Sequence, residues 1–151
     1  MSLEWKREMT DQIDDKELIS ILTGTRRIAL VGASNKPDRP SYGVMQYLLR
    51  HGYEVVPVNP ALAGQEIHGQ KVVATLEEAG PFDMLDLFRR PAEVLEPVQE
   101  AIKLGAKIIW MQLGVVNEEA AKEAREAGLT VVMNRCPAIE MPRLGIGGPA
   151  H

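Results

Sequence analysis

Residues 27–43 read "RIALVGASNKPDRPSYG". Five residues rich in Ile, Leu and Val run into Gly32. A polar loop follows, and from Ser41 the chain takes on helical spacing, with Val44, Met45, Leu48 and Leu49 on one face up to about Arg50. Strand, glycine turn and helix in that order form the phosphate-gripping unit of a dinucleotide-binding fold. Only the front glycine of the usual fingerprint is present. Ser34, Lys36 and Arg39 stand where a nicotinamide site carries further glycines.

Outward from this unit the chain alternates. Upstream, "IDDKELISILTG" (13–24) is an amphipathic helix, with Asp14 as cap, Glu17 in the reciprocal position, Ile13 stapling onto Leu18 and Gly24 as a left-handed stop. Downstream, strands are expected over 53–58, 71–74, 82–88, 106–112 and 129–134, giving six with the first. Thr75 and Glu78 open a short helix, a turn covers 91–95, a helix starts near Pro97, and Asn117 caps "EEAAKEAREA". Such alternation predicts an α/β Rossmann-like domain with a mostly parallel sheet of about six strands and helices on both faces. Residues 1–24 form an N-terminal helical extension of that domain, 25–136 its body, and 137–151 a Gly/Pro-rich tail that wraps or frays.

Bulk properties narrow the function classes. The 151 residues suffice for one core, and 45% hydrophobic with 25% charged residues is the composition of a globular chain. No run approaches the roughly 18 apolar residues of a membrane span. The polar N-terminus is unlike a signal peptide, and a single cysteine, Cys136, leaves no internal disulfide; the cytoplasm is the expected compartment. A net charge of −4 disfavours a general nucleic-acid binder but leaves room for a local basic pocket.

In an open parallel sheet the ligand lies beyond the carboxyl ends of the strands. The loops there carry Lys36, Asp38, Arg39, Arg89 and Arg90, four cations and one anion on an acidic protein, which favours a polyanionic small molecule. Gly32 allows the tight turn, backbone N–H groups near Ala33 and Ser34 can meet a phosphate, and the helix start at Ser41 adds its positive dipole end. Lys36 and Arg39 can close over that phosphate. After strand two come Val58, Asn59 and Pro60, with no carboxylate to hold the ribose of NAD; NADP stays open. Phe88 and Pro91 can flank an adenine while Arg89 or Arg90 meets a phosphomonoester. Gln112 emerges at the end of strand five as a polar contact, whereas Trp110 and Met111 read as packing. Each loop, taken alone, is also compatible with a solvated turn.

Catalytic signals are poor. No His/Cys/Asp spacing suits a metal, and no nucleophile elbow or Walker pattern occurs. Asp83 and Asp86, three apart in a strand, point to opposite faces and cannot form an acid–base pair. Cys136 is the one reactive candidate, with a buried hydrophobe as its ordinary role.

Taken together, "VGASNKPDRPSYG", "GYEVVPVNP", "FRRP" and "WMQLGVVNEEAAKEAREAGLTVVMNRC" resemble the stand-alone CoA-binding proteins, which are similar to the N-terminal domain of the succinyl-CoA synthetase alpha subunit. The resemblance runs from about Thr25 to Cys136. It implies coenzyme A at the carboxyl edge, with pyrophosphate contacts from Gly32, Ala33, Ser34, Lys36, Arg39 and Ser41. It also implies a second motif at Val58, Asn59 and Pro60, and the adenine and ribose near Phe88 to Pro91. The synthetase's phosphorylated histidine belongs to a separate domain, so its chemistry does not carry over.

Three functions are therefore expected in competition. They are a non-catalytic CoA or acyl-CoA carrier, sensor or regulatory module; an NADP-dependent oxidoreductase; and a thiol function in which coenzyme A forms a mixed disulfide at Cys136. The expected partner is the small molecule, with no nucleic acid or membrane and with self-association left open.

Overall fold

The computed structural model describes residues 13–150. The opening residues 1–12 of the expected N-terminal extension, and His151, lie outside that range. In chain order the elements are α1 (Asp15–Gly24), β1 (Arg27–Val31), α2 (Pro40–Arg50), β2 (Glu54–Val58), β3 (Glu66–Ile67), β4 (Gln70–Lys71), α3 (Leu76–Ala79), β5 (Met84–Leu87), α4 (Leu95–Lys103), β6 (Ile108–Met111), α5 (Glu118–Glu126), β7 (Thr130–Val132) and α6 (Pro137–Leu144).

Five strands form one parallel sheet in the order β2-β1-β5-β6-β7, and β3 and β4 make a separate antiparallel pair. The architecture is α/β and Rossmann-like. A sixth sheet strand over 71–74 does not form. Lys71 closes β4, Val73 makes one parallel bridge to Val58, and Thr75 then caps α3, so the chain leaves the sheet edge after a single residue.

Side chains alternate across the buried strands and build two cores. Leu85, Leu87, Ile109, Met111 and Val131 pack against α3, α4 and α5, where Ala120, Ala121 and Ala124 let α5 lie close. On the opposite face, Leu30, Met84, Trp110 and Val132 meet Leu18 and Leu22 of α1, Met45 and Leu48 of α2, and Met141 of α6. Truncating a fully buried residue such as Leu48 to Ala costs about 2–5 kcal/mol.

Local chemistry sets the helix ends. Asp14 Oδ1 accepts from the Glu17 N–H at 2.8 Å, as its spacing predicts. Gly24 is not a left-handed stop; it is the last helical residue, and extended Thr25 ends the helix by donating its hydroxyl to Ile21 O at 2.8 Å. That leads directly into β1. Pro97 sits in the first turn of α4, where a helical N–H has no partner to lose, and a 3₁₀ turn over Pro91–Glu93 precedes it. The tail beyond Cys136 opens as a helix, which Pro142 does not break. Met141 is buried beneath it, Glu140 is clamped on both sides, and Gly145 at φ 71° closes it. The rest of the tail wraps back, with the Ala150 N–H donating to Thr23 O at 2.9 Å.

Candidate functional site

Strand order reverses between β1 and β5, so their carboxyl ends open a crevice at the switch point. Gly32 forms its floor at φ 89°, and a Cβ there would stand 2.2 Å from the Phe88 carbonyl oxygen. The glycine thus serves two needs: the left-handed turn leaving β1, and contact between the loops after β1 and β5.

Over this floor lies a cavity of about 810 Å³. Gly32, Ala33, Ser34, Lys36, Arg39 and Ser41 line it from the first loop and α2, Asn59 from beyond β2, Phe88, Arg89, Arg90 and Pro91 from beyond β5, and Gln112 from beyond β6. Val58 and Pro60 do not reach it. They line a smaller cavity of about 280 Å³ together with Glu93, Glu96 and Glu100, and Arg89 borders both. Sequence reasoning missed Val44, counted among the core positions of α2, and Leu113 and Val115, which follow Gln112 at the strand end. Position beyond a strand was the available signal for the last two.

The helix start differs from expectation in a useful way. Ser41 is not the cap; Pro40 takes the first helical position, where its fixed φ and missing N–H fit, and the cap falls to Arg39. Arg39 makes no side-chain cap bond and the Tyr42 N–H donates to Arg39 O at 3.0 Å, so among the described residues the first turn of α2 keeps one orphan donor, the Ser41 N–H, at the cavity. Ser41 is buried one step further in. The loop itself is held from behind: Asn59 donates to Ala33 O at 2.8 Å and accepts from the Ala61 N–H at 2.9 Å. Ser34 Oγ accepts from the Lys36 N–H at 3.1 Å.

Cations at the rim are unevenly employed. Arg89 and Arg90 both reach Glu93, at 3.3 and 3.2 Å. The Lys36 and Arg39 side chains have no ion pair or hydrogen bond among the described residues. The loop carrying Arg89 and Arg90 is anchored by Asn117, which caps α5 and donates Nδ2 to Pro91 O at 2.8 Å.

Toward β7 the cavity is lined by Gln112, Leu113, Gly114, Val115 and Cys136. Trp110 is wholly buried, and its indole N–H donates to Arg135 O at 2.8 Å. Cys136 is buried yet lines the cavity, and Gln112 is buried with Oε1 unpartnered. Asn134, at φ 58°, accepts from the Gly114 N–H at 2.7 Å and fixes the turn after β6. Asp83 and Asp86 do not pair. Asp83 precedes β5 and accepts from the Arg26 and Arg27 N–H groups, both at 3.0 Å, whereas Asp86 lies inside the sheet. Burial holds the Asp86 carboxyl well above the usual carboxylate range.

Behind Cys136 a charge cluster ties α6 to α1. Arg135 donates to Glu140 Oε1 at 2.8 Å and to Ile13 O at 2.9 Å. Arg143 donates to Glu140 Oε2 at 2.8 Å and forks onto Asp15 at 2.8 and 3.1 Å. Burial raises the Glu140 pKa, but the hydrogen bonds from Arg143 and Arg135 outweigh it and hold the carboxyl below its usual range.

Residues 26–142 match the family described as the CoA binding domain. The Bacillus subtilis protein YneT is 40% identical over 121 residues, covering 80% of this chain and 88% of that one. A solved structure of a Pyrococcus horikoshii protein is 45% identical with a TM-score of 0.85, covering 89% of this chain and 94% of that one. The alpha subunit of an ADP-forming acetate–CoA ligase from Pyrococcus furiosus is 26% identical over 129 residues, 76% of this chain but 28% of that subunit's length. From the strand-turn-helix at Gly32 to the helix after Cys136, this chain belongs to the CoA-binding domain family.

Proposed function

We propose that this protein binds coenzyme A, free or acylated, at the carboxyl edge of its sheet, and acts as a carrier, sensor or regulatory module rather than as an enzyme. The observation that carries this reading is the pair of unemployed cations, Lys36 and Arg39, over the uncapped first turn of α2 in a protein of net charge −4. Coenzyme A bears about three to four negative charges. Its pyrophosphate fits the Gly32–Ser34 loop, gripped by backbone donors and by these side chains. The adenosine end fits between the 88–91 loop and Asn59, with Arg89 and Arg90 for the 3′-phosphate. The pantetheine arm then runs toward Gln112 and Cys136. Membership in the CoA-binding domain family supports the same ligand.

Thermal unfolding of ligand-stripped protein with CoA, dephospho-CoA, acetyl-CoA, NADP and NAD tests the proposal. At a hundred times its dissociation constant a ligand adds about 2.7 kcal/mol, or roughly 5–10 °C here. CoA should give such a shift, dephospho-CoA a smaller one and NAD none. A shift with NADP alone would favour an oxidoreductase.

A second reading is favoured by one contact: Cys136 lines the same cavity as the phosphate loop. In it the Cys136 thiolate attacks one sulfur of CoA disulfide, forming the mixed disulfide and releasing the other coenzyme A as its thiol. Protein incubated with CoA disulfide should gain one coenzyme A by mass, lose it on reduction, and gain none as Cys136→Ser. An unmodified wild-type chain refutes this reading.

A further inference from the structure

On the α2 face of the sheet, two buried side chains hold oxygens that meet no donor among the described residues. They are both carboxyl oxygens of Asp86 and Oε1 of Gln112. Asp86 is 0% exposed and lies beside Trp110 in the β5–β6 register. Gln112 comes two residues later, and its N–H donates to Leu87 O at 3.4 Å, so the ladder continues and Gln112 faces the same side as Trp110 and Asp86. Strand spacing and rise put the two Cβ atoms roughly 8 Å apart. A carboxyl group, one hydrogen bond and a glutamine side chain span that gap.

Three acceptor oxygens cannot satisfy one another while Asp86 is ionised, and leaving them unsatisfied is costly. A single proton resolves the conflict, and burial favours the neutral acid that carries it. The other end of the Gln112 amide, Nε2, also has no partner among the described residues, but it is not among the sealed atoms, and Gln112 lines the cavity. We propose that Asp86 is a positioning residue: its carboxyl O–H donates to Gln112 Oε1 and holds the amide with its N–H donors turned into the cavity. That end of the cavity then selects a ligand acceptor, the carbonyl oxygen of an amide or thioester, and rejects a donor. The ligand half of this inference rests on the coenzyme A reading; the Asp86–Gln112 bond does not.

The bond is tested first on the protein alone. At neutral pH the infrared spectrum should contain a protonated-carboxyl band that Asp86→Asn removes and Gln112→Leu moves to higher frequency. Absence of the band, or a band indifferent to Gln112→Leu, overturns the proposal. The ligand arm uses acetyl-CoA. Asp86→Leu removes the donor to Oε1 and should weaken binding about five- to tenfold, measured on protein shown by urea denaturation to be folded. Asp86→Asn keeps a donor for Oε1 and should stay within about twofold of wild type. The Asp86→Leu/Gln112→Leu pair should bind no more weakly than Gln112→Leu alone. Unchanged affinity in Asp86→Leu overturns the positioning role. If the wild type does not bind acetyl-CoA, the coenzyme A reading fails and the infrared arm alone decides the bond.

Discussion

Arg135 and Arg143 between α1 and α6, and Lys36 and Arg39 above the cavity, are cations of one small domain with opposite employment. The first pair donates to Glu140, Asp15 and the Ile13 carbonyl, all between 2.8 and 3.1 Å. The second pair makes no ion pair or hydrogen bond among the described residues and lines the cavity at a helix start without a side-chain cap. Saturated charge holds elements together, and unsaturated charge is left for something outside the chain. Arg89 and Arg90 fall between, sharing the single carboxylate of Glu93.

The contrast breaks most severely at the cavity floor. Gly32→Ala forces a side chain at positive φ to within 2.2 Å of the Phe88 carbonyl, and should cost about 3 kcal/mol or more. Urea denaturation measures the loss. Stability within about 0.5 kcal/mol of wild type would mean that the two loops separate easily. Next comes Arg39→Glu, which should lower CoA affinity about a hundredfold by calorimetry while leaving the urea midpoint unchanged, because the side chain supports nothing in the fold.

Glu140→Gln tests the saturated cluster and should destabilise the protein by about 2 kcal/mol at pH 7 with little effect on ligand affinity. Its pH dependence has a definite sign. The folded-state pKa lies below the usual 4.5, so the carboxylate's contribution is complete above that value and disappears as pH falls through the lower folded pKa. The wild type should lose stability across that acid window more steeply than Glu140→Gln. The smallest effect is expected of Glu93→Gln. Freeing exposed Arg89 and Arg90 changes stability by less than about 1 kcal/mol, and should raise CoA affinity a few-fold at low salt and less at high salt.

What could be read from the residues follows the same division. Strand alternation, the Asp14, Thr75 and Asn117 caps and the cationic loops were legible because each depends on neighbours in sequence. Gly24 and Ser41 misled because Thr25 and Pro40, one residue away, do the terminating and starting instead. The helix over Pro137–Leu144 was hidden by its two prolines and the glycines that follow it; the arginines that clamp Glu140 come from both its sides, and Asp15, which Arg143 also grips, is far away in sequence. The separation of Val58 and Pro60 from the main cavity depends on which side of Arg89 each loop passes, and nothing in the local sequence encodes that.

Trp110 gives the protein an optical probe of its own. The chain has two tryptophans, and Trp5 lies outside the described residues. With Trp5→Phe, all indole emission would come from a ring that is wholly buried beside Asp86 and bonded to the carbonyl just before Cys136. Its colour and lifetime would report events at the Gln112–Cys136 end of the cavity, in real time and without a label.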